Sequence, residues 1–246
     1  MVKISCGALP SGAVSFAGNT HEGINNKYIE TKDLDGVAGQ SFSVCMEVKK
    51  AEAGTGQTLF SMGQGTTRGG LFGYFQSDNT VAFGLYSDYT VTTSAYTSDV
   101  GVWVHWCFVF SSEGNTFAIY RHGVAQALTK AAADGTTSAS GPLFLGVWKW
   151  WTNSNGYYYG PFSGAMDEVR VFERRALTQV EVSSLMTNPT TDALGLVLAL
   201  TFDTGDLGKD SSCGGVGDAV SVTGLASVAG KECGSVDSSA LIMCSR

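Results

Sequence analysis

The chain has 246 residues and a formal net charge of −7 at pH 7, which argues against nucleic acid as a partner because phosphate binding needs a basic face. No run of about 18 apolar residues occurs, so we expect no membrane insertion. Hydrophobic residues make up 43% of the sequence, with 32 glycines and only 4 prolines. This composition supports a sizeable core and is typical of many short strands joined by turns.

The first part of the chain predicts short strands that are separated by Gly, Asp and Asn. They fall at residues 13–16, 28–31, 41–48, 58–62, 71–76 and 81–86. The clearest alternation is in 41–48, where every second residue is apolar. A period of two residues indicates a strand that buries one face.

The middle of the chain continues in the same way. Residues 102–110 are apolar on both faces, which indicates a central strand of a packed sheet. Residues 116–121 and 124–128 predict a hairpin across His122 and Gly123. Residues 143–151 and 169–172 predict two further strands.

The sequence predicts one helix near residue 180. Thr178 and Glu181 form a capping box, and Leu177 can pack against Val182 as a hydrophobic staple. Pro189 ends the helical pattern. About a dozen strands with one short helix predict an all-β fold, an antiparallel two-sheet jelly-roll sandwich.

The cysteines indicate disulfides, because they are even in number and no Cys-x-x-Cys pair points to zinc. The sequence does not choose among the pairings. Cys45 and Cys107 have an alternative interpretation as small buried core residues. Disulfides imply an oxidising compartment, so we expect an extracellular or cell-surface location. The disulfide candidates are Cys6, Cys45, Cys107, Cys213, Cys233 and Cys244.

Four segments share motifs with a known family. They are residues 12–18 with 28–30, residues 41–49, residues 103–105 with 107–110, and residues 162–178. The last, F-S-G-A-M-D-E-V-R-V-F-E-R-R-A-L-T, is the most specific. These motifs resemble the laminin-G-like, concanavalin A-like lectin and glucanase superfamily, although Glu47 stands where tryptophan is usual. The resemblance covers about residues 12–187 and implies a concanavalin A-like jelly roll.

The tail looks like the opening of another such domain. Residues 195–203, 210–212 and 230–231 resemble the family's first strands, yet here they come last. We therefore expect a jelly-roll module over 1–187, followed over 188–246 by a linker and the first strands of a further module, or by a complementing tail. A sheet that lacks an edge strand invites strand donation, so residues 195–203 are expected to complete a sheet, in cis or in a neighbouring copy.

A partial internal repeat also points to a tandem array. The segment that starts at Cys6 aligns without a gap with the segment that starts at Cys233, with Cys, Gly, Ser and Ala in common. Repetition of this kind is the signature of chains built from several similar modules.

The sequence offers no catalytic residues. Glycan hydrolases of this family use a pair of carboxylates on one strand face, but no Glu-x-Asp occurs here, and Glu168 and Glu173 lie on opposite faces of a strand. Asp167 and Glu168 match a structural signature of the family. No nucleophile elbow or phosphate loop is present, so we expect a protein that is not an enzyme.

An aromatic segment is the main candidate for binding. Six aromatic residues fall within residues 148–159, around a polar turn. Aromatic planes stack on the apolar faces of sugars, and Trp and Tyr also dominate protein interfaces. The alternative is that the rings pack beneath a loop of their own module. The candidate residues are Trp148, Trp150, Trp151, Asn153, Asn155, Tyr157, Tyr158 and Tyr159.

Calcium is the cofactor that the resemblance implies, because some laminin-G-like relatives hold it at a rim. Asp33, Asp35 and Asp88 are weak candidate ligands with the hard oxygen atoms that calcium prefers. The alternative is that they are solvated turn carboxylates.

Two functions are left open. The first is a non-catalytic extracellular structural or adhesive module of a repeat array, such as a surface coat or filament. It would assemble with copies of itself or with neighbouring modules by strand complementation and aromatic contacts. The alternative is a lectin-like module that binds glycans through the aromatic segment.

Overall fold

The structure is a computed structural model. It describes residues 12–16, 27–34, 40–62, 70–85, 89–129, 141–150, 157–187, 194–202, 219–223 and 226–229. These residues form 17 β-strands and one α-helix, α1 (Gln179–Thr187). The strands are β1 (Gly12–Ser15), β2 (Tyr28–Leu34), β3 (Phe42–Lys50), β4 (Gln57–Met62), β5 (Leu71–Phe75), β6 (Val81–Leu85), β7 (Tyr89–Thr92), β8 (Trp103–Ser111), β9 (Thr116–Arg121), β10 (Val124–Ala125), β11 (Gly141–Leu145), β12 (Trp148–Trp150), β13 (Tyr157–Tyr159), β14 (Gly164–Glu173), β15 (Leu196–Leu200), β16 (Ala219–Thr223) and β17 (Ala226–Ala229).

Two antiparallel sheets face each other, which confirms the predicted jelly-roll sandwich. An eight-stranded sheet has the order β10-β9-β8-β3-β14-β1-β17, with β15 also paired to β14. A seven-stranded sheet has the order β16-β2-β11-β4-β5-β6-β7. Strands β12 and β13 form a separate two-stranded ribbon.

The predicted strands at 41–48 and 102–110 are confirmed as β3 and β8, which pair with each other near the centre of the eight-stranded sheet. The hairpin between β9 and β10 is also confirmed. Its two turn residues, His122 and Gly123, have φ of +48° and +73°. Positive φ at both positions gives the turn a twist that matches the twist of its strands.

The core between the sheets is rich in phenylalanine. Phe60 of the seven-stranded sheet meets Phe108 of the other edge to face, with ring centroids 5.1 Å apart, and Phe42 meets Phe83 in the same way at 6.0 Å. Trp106 is fully buried beside them. Edge-to-face contacts of this kind stabilise aromatic pairs beyond the burial of their surface.

A second, smaller core lies on the outer side of the eight-stranded sheet, beneath α1. Cys45 and Cys107 are opposite each other on β3 and β8 and form a disulfide there. Leu177, Val182 and Leu185 cover them. The prediction of disulfides is confirmed for this pair, and the other four cysteines lie outside the described residues.

The capping box of α1 is confirmed in both directions. The Thr178 N–H donates to the Glu181 carboxylate over 2.6 Å, and the Glu181 N–H donates to the Thr178 hydroxyl over 3.4 Å. Leu177 and Val182 share one cluster, as the predicted staple requires.

The tail strands pair within the same chain. Strand β15 pairs with β14, β16 pairs with β2 at the edge of the seven-stranded sheet, and β17 pairs with β1. Strands β1 and β15 therefore share one side of β14, β1 opposite residues 165–166 and β15 opposite residues 169–172. The tail contributes strands to both sheets, while the division of the chain at residue 188 stays a prediction.

Candidate functional site

The aromatic segment leaves the sheet at a sharp turn. We predicted one strand over 143–151, but the structure has two, because the chain turns away after β11 and β12 pairs only with β13. Gly146 makes this turn with φ of +83°. A Cβ atom there would lie 2.4 Å from Cε1 of the buried Phe16 ring. Only glycine both adopts this positive φ readily and has no Cβ atom to clash with Phe16. The pattern of apolar residues does not reveal that the strand ends here.

The stem of the resulting hairpin is tied to β4 by its backbone. The Gly146 N–H donates to the Leu59 carbonyl over 2.9 Å, and the Thr58 N–H donates to the Gly160 carbonyl over 2.6 Å. The Ser61 hydroxyl donates to the Val147 carbonyl over 3.0 Å. Because these bonds fix both strands of the stem, the hairpin has a defined position on the seven-stranded sheet.

The hairpin lies over the outer face of that sheet. Phe144, Ser61 and Phe72 are cross-strand neighbours on β11, β4 and β5, and neighbours in register share a face. Ser61 bonds the hairpin, and Trp148 stacks on Phe72 with the ring centroids 5.0 Å apart and the planes 20° from parallel. Phe72 is buried and Trp148 is half-buried. One indole face is thus covered by phenylalanine, while part of the ring stays exposed.

Tyr74 is a second half-buried ring on the same face, two residues from Phe72 along β5. Two glycines make room for it. A Cβ atom on Gly56 would lie 1.8 Å from the Tyr74 hydroxyl, and one on Gly160 would lie 3.0 Å from the Tyr74 ring. Burial raises the pKa of the Tyr74 phenol, which therefore stays a neutral hydrogen-bonding group.

Sequence reasoning missed Phe72 and Tyr74 as members of this site. Their alternation in Leu71–Phe75 predicted a strand, and the two residues share one face of it. What the sequence does not show is that the face opposite the core is covered by the aromatic hairpin, because that depends on the turn at Gly146.

The structure describes only some of the residues predicted to form the aromatic binding segment. The ribbon places Trp148 opposite Tyr159, Lys149 opposite Tyr158 and Trp150 opposite Tyr157. Apart from Trp148, the side chains of these residues are outside the described part of the structure. Trp151, Asn153 and Asn155 lie outside the described residues altogether. A binding role for this group stays a prediction.

The predicted calcium ligands are not brought together by the described part of the chain. Asp35 and Asp88 lie outside the described residues, and of Asp33 only the backbone, within β2, is described. Among the described residues, no group of three His, Cys, Asp or Glu side chains is placed to hold a metal ion. Calcium binding stays a prediction.

Asp167 and Glu168, the carboxylates of the family motif, lie at a β-bulge in β14. Glu168 has φ of +52°, and its N–H donates to Asp167 Oδ1 over 2.8 Å. The Arg170 guanidinium donates to the Glu168 carbonyl over 3.1 Å and forms an ion pair with the Glu168 carboxylate. Both carboxylates thus hold local structure, as the family resemblance implies.

A largely buried polar cluster joins β3, β9, the segment before β8 and the turn between β5 and β6. Asp99 accepts two bonds from the Arg121 guanidinium, at 3.0 and 2.5 Å. The Lys50 ammonium donates to Asn79 over 3.3 Å and lies 4.7 Å from the centre of the Phe75 ring. Burial lowers the pKa of Lys50, and the Asp99 carboxylate offsets part of that effect. These cations are committed to internal partners.

None of the helices in the described part of the chain has the length and hydropathy of a membrane span. The expectation that the protein is not inserted in a membrane came from the whole sequence, where no long apolar run occurs.

Comparisons with known proteins agree on the fold. Residues 23–183 match the family model of the concanavalin A-like lectin/glucanases superfamily. No curated protein sequence matches the chain. A solved protein from Bacteroides ovatus, assigned to carbohydrate binding, is similar with a TM-score of 0.66 and 18% identity, over 90% of this chain and 60% of its own. This chain therefore spans less than two thirds of that protein.

Two other solved structures are similar to this chain. The heptameric SAP-like pentraxin from Limulus polyphemus has a TM-score of 0.61 and 18% identity, over 92% of this chain and 98% of its own. The CBM40 domain of the Ruminococcus gnavus IT-sialidase has a TM-score of 0.51 and 18% identity, over 70% of this chain and 97% of its own. At these identities the similarity shows the fold alone.

Proposed function

Because this chain belongs to the concanavalin A-like lectin/glucanase superfamily, we propose that it is a carbohydrate-binding module. Its binding site is the aromatic hairpin, β12 and β13, on the outer face of the seven-stranded sheet. The observation that carries the proposal is the stacking of the half-buried Trp148 on Phe72, within a stem fixed to β4. A rigid aromatic plane with one face covered is a suitable platform for the apolar face of a sugar ring.

Preorganisation supports this function. Binding orders side chains at a cost of about 0.5–1.5 kcal/mol for each flexible group. Trp148 loses little freedom on binding, because Phe72 already holds its ring. Tyr74 is held in the same way by the space that Gly56 and Gly160 leave. Such a site retains more of its contact energy as affinity.

Binding without hydrolysis is the second part of the proposal. The sequence has no carboxylate pair with the spacing of the family's glycan hydrolases, and Asp167 and Glu168 are engaged at the bulge of β14. The relative from Bacteroides ovatus is assigned to carbohydrate binding, which supports the same class of function for this fold.

A glycan array followed by titration calorimetry tests the proposal. We expect saturable binding of at least one glycan, and at least a tenfold loss of affinity in Trp148→Ala and Trp150→Ala, which equals about 1.4 kcal/mol. The matched control is Trp103→Ala, since Trp103 is a half-buried tryptophan on β8 of the opposite sheet. Circular dichroism establishes that each variant is folded.

Two results would contradict the proposal. One is the absence of binding to every glycan on the array, and the other is an equal loss of affinity in Trp103→Ala. Light scattering on the same samples separates the alternative function. A molar mass that grows with concentration, without glycan binding, would favour the structural module of a repeat array.

A further inference from the structure

We infer that the hairpin site binds a glycan across at least two sugar units, and that Tyr74 determines which second unit it accepts. The first unit stacks on Trp148, and the Tyr74 hydroxyl bonds a hydroxyl of the second. This inference rests on the proposed function and adds to it the length of the ligand and a second contact. It follows from the position of the Tyr74 ring and from the surroundings of its phenol oxygen.

The Tyr74 ring lies beside the same hairpin stem as the Trp148 ring. Tyr74 shares the outer face of β5 with Phe72, on which Trp148 stacks. A Cβ atom on Gly160 would lie 3.0 Å from Cε2 of the Tyr74 ring. Gly160 directly follows Tyr159, which is opposite Trp148 in the ribbon. One ligand that lies along the stem therefore meets both rings.

The hydroxyl of Tyr74 points away from Phe72 and from the ring stacked on it. A Cβ atom on Gly56 would lie 1.8 Å from the phenol oxygen, so this oxygen lies against the Gly56 backbone. Gln57 is opposite Phe75, which places Gly56 one position further along and four positions from the level of Phe72. At about 3.3 Å per residue, this separation is about 13 Å along β5.

A single sugar unit does not span this separation. With bonds of about 1.5 Å, the hydroxyl oxygens of a pyranose lie about 3–4 Å from the centre of its ring. A hydrogen bond to the phenol oxygen extends the reach to about 7 Å. This reach is roughly half of the separation along β5, so a sugar stacked on Trp148 leaves the Tyr74 hydroxyl to the next unit of the chain.

The phenol oxygen of Tyr74 is open to a ligand. It has no hydrogen-bond partner in the described part of the chain, and it is not one of the polar atoms there that are buried without a partner. The oxygen therefore reaches solvent. Burial of the side chain raises the pKa of the phenol, so the hydroxyl keeps its proton and both donates and accepts hydrogen bonds.

Gly56 serves the phenol rather than its own backbone. It is not among the glycines with positive φ, so its backbone conformation does not require glycine. What a larger residue would lose is the space that the Tyr74 oxygen occupies. The hydroxyl is thus held in place before a ligand binds, which preserves the affinity that its hydrogen bond contributes.

A length series of glycans tests the inference. The glycan identified on the array is compared as its terminal monosaccharide and its disaccharide by titration calorimetry on the full chain. We expect the monosaccharide to bind at least tenfold more weakly than the disaccharide, or too weakly to measure. In Tyr74→Phe, the affinity for the disaccharide should fall about three- to tenfold, the range of one hydrogen bond.

Disaccharides that each lack one hydroxyl of the second unit separate a direct contact from a structural role. The analogue that lacks the hydroxyl bonded by Tyr74 should bind the wild type and Tyr74→Phe equally. The other analogues should still show the three- to tenfold difference. A loss in Tyr74→Phe that is the same for every analogue would overturn the inference.

Tyr120→Phe is the matched control, since Tyr120 lies on β9 of the opposite sheet and burial also raises the pKa of its phenol. It should leave all affinities unchanged, and a loss as large as that in Tyr74→Phe would count against the inference. Equal affinity for the monosaccharide and the disaccharide would overturn it and leave the carbohydrate-binding function in place. So would a disaccharide affinity that survives Tyr74→Phe. Failure of the wild type to bind any glycan would overturn the function itself and this inference with it.

Discussion

The outer faces of the two sheets are covered by different kinds of groups. On the eight-stranded sheet, Arg170 pairs with Glu168, Arg175 pairs with Glu181, and a helix lies over a disulfide. On the seven-stranded sheet, a hairpin lies over uncharged and aromatic side chains, and the rings of Trp148 and Tyr74 are only half-buried. On the eight-stranded sheet, these groups interact with one another and stabilise the fold. On the seven-stranded sheet, part of the aromatic surface stays exposed, where a ligand can cover it. Under the proposed function, one side of the sandwich serves stability and the other serves recognition.

Removal of the disulfide should give the largest effect, and only on stability. The Cys45–Cys107 bond closes a separation of 62 residues, for which the chain-entropy model gives roughly 4 kcal/mol. We expect the Cys45→Ala/Cys107→Ala double variant to lose about that much free energy of unfolding in urea. Its glycan affinity under folding conditions should be unchanged.

Reduction of both proteins with dithiothreitol is the control. It should cost the wild type more stability than the double variant, by about the loss expected from the Cys45–Cys107 bond, because any other disulfide is reduced in both. A large loss of glycan affinity in a folded double variant would contradict the idea that the disulfide side of the sandwich serves stability alone.

Substitution of Gly146 should affect both stability and binding. In Gly146→Ala, the positive φ costs about 1–2 kcal/mol, and the clash with the buried Phe16 ring adds about 1–3 kcal/mol. Since this residue directs the chain into the hairpin, the affinity for glycan should fall with the stability. Urea unfolding and calorimetry measure the two losses.

Gly54→Ala separates backbone strain from the clash. Gly54 has φ of +76°, close to the φ of Gly146, and a Cβ atom there meets nothing within 4 Å. We expect a loss of only about 1–2 kcal/mol and unchanged affinity. Equal effects of the two substitutions would show that contact with Phe16 does not matter.

The capping box should give the smallest effect, and again only on stability. In Thr178→Ala, α1 loses its N-cap, which costs about 1 kcal/mol. Burial acts to raise the pKa of Glu181, but the hydrogen bonds from Thr178 and Arg175 outweigh it and lower that pKa. A lowered folded-state pKa stabilises the fold above the unfolded-state value and loses that contribution as the pH falls through the folded-state value.

The difference between wild type and Thr178→Ala should therefore shrink below about pH 4. Thr187→Ala, at the other end of α1, is the matched control, with an expected change within about 0.5 kcal/mol at all pH values. A constant difference down to pH 3 would show that the hydrogen bond from the Thr178 hydroxyl to the Glu181 carboxylate adds nothing to the cap.

Local patterns in the sequence predicted the parts of the fold that depend on neighbouring residues. Alternation located β3 and β8, the pair His122–Gly123 located a hairpin, and Thr178 with Glu181 located the start of α1. Each of these signals lies within a few residues of the element it specifies. The family motif at 162–178 supplied the jelly-roll architecture.

The aromatic site could not be predicted in the same way, because it is formed by contacts between residues that are far apart in the sequence. Trp148 meets Phe72, and Gly146 is a turn because Phe16 occupies the space beside it. These contacts join residues more than 70 positions apart, and no pattern within one segment specifies them. The pairing of Cys45 with Cys107 likewise follows from the adjacency of β3 and β8.

The pairing of β1 with β17 has a mechanical consequence. Gly12, where the chain enters β1, lies opposite Ala229, where the chain leaves β17. A pulling force applied through these two positions acts at one end of the ladder and opens its hydrogen bonds one after another, not all together in shear. The outermost strand would peel away at low force, while the sheets behind it remain closed.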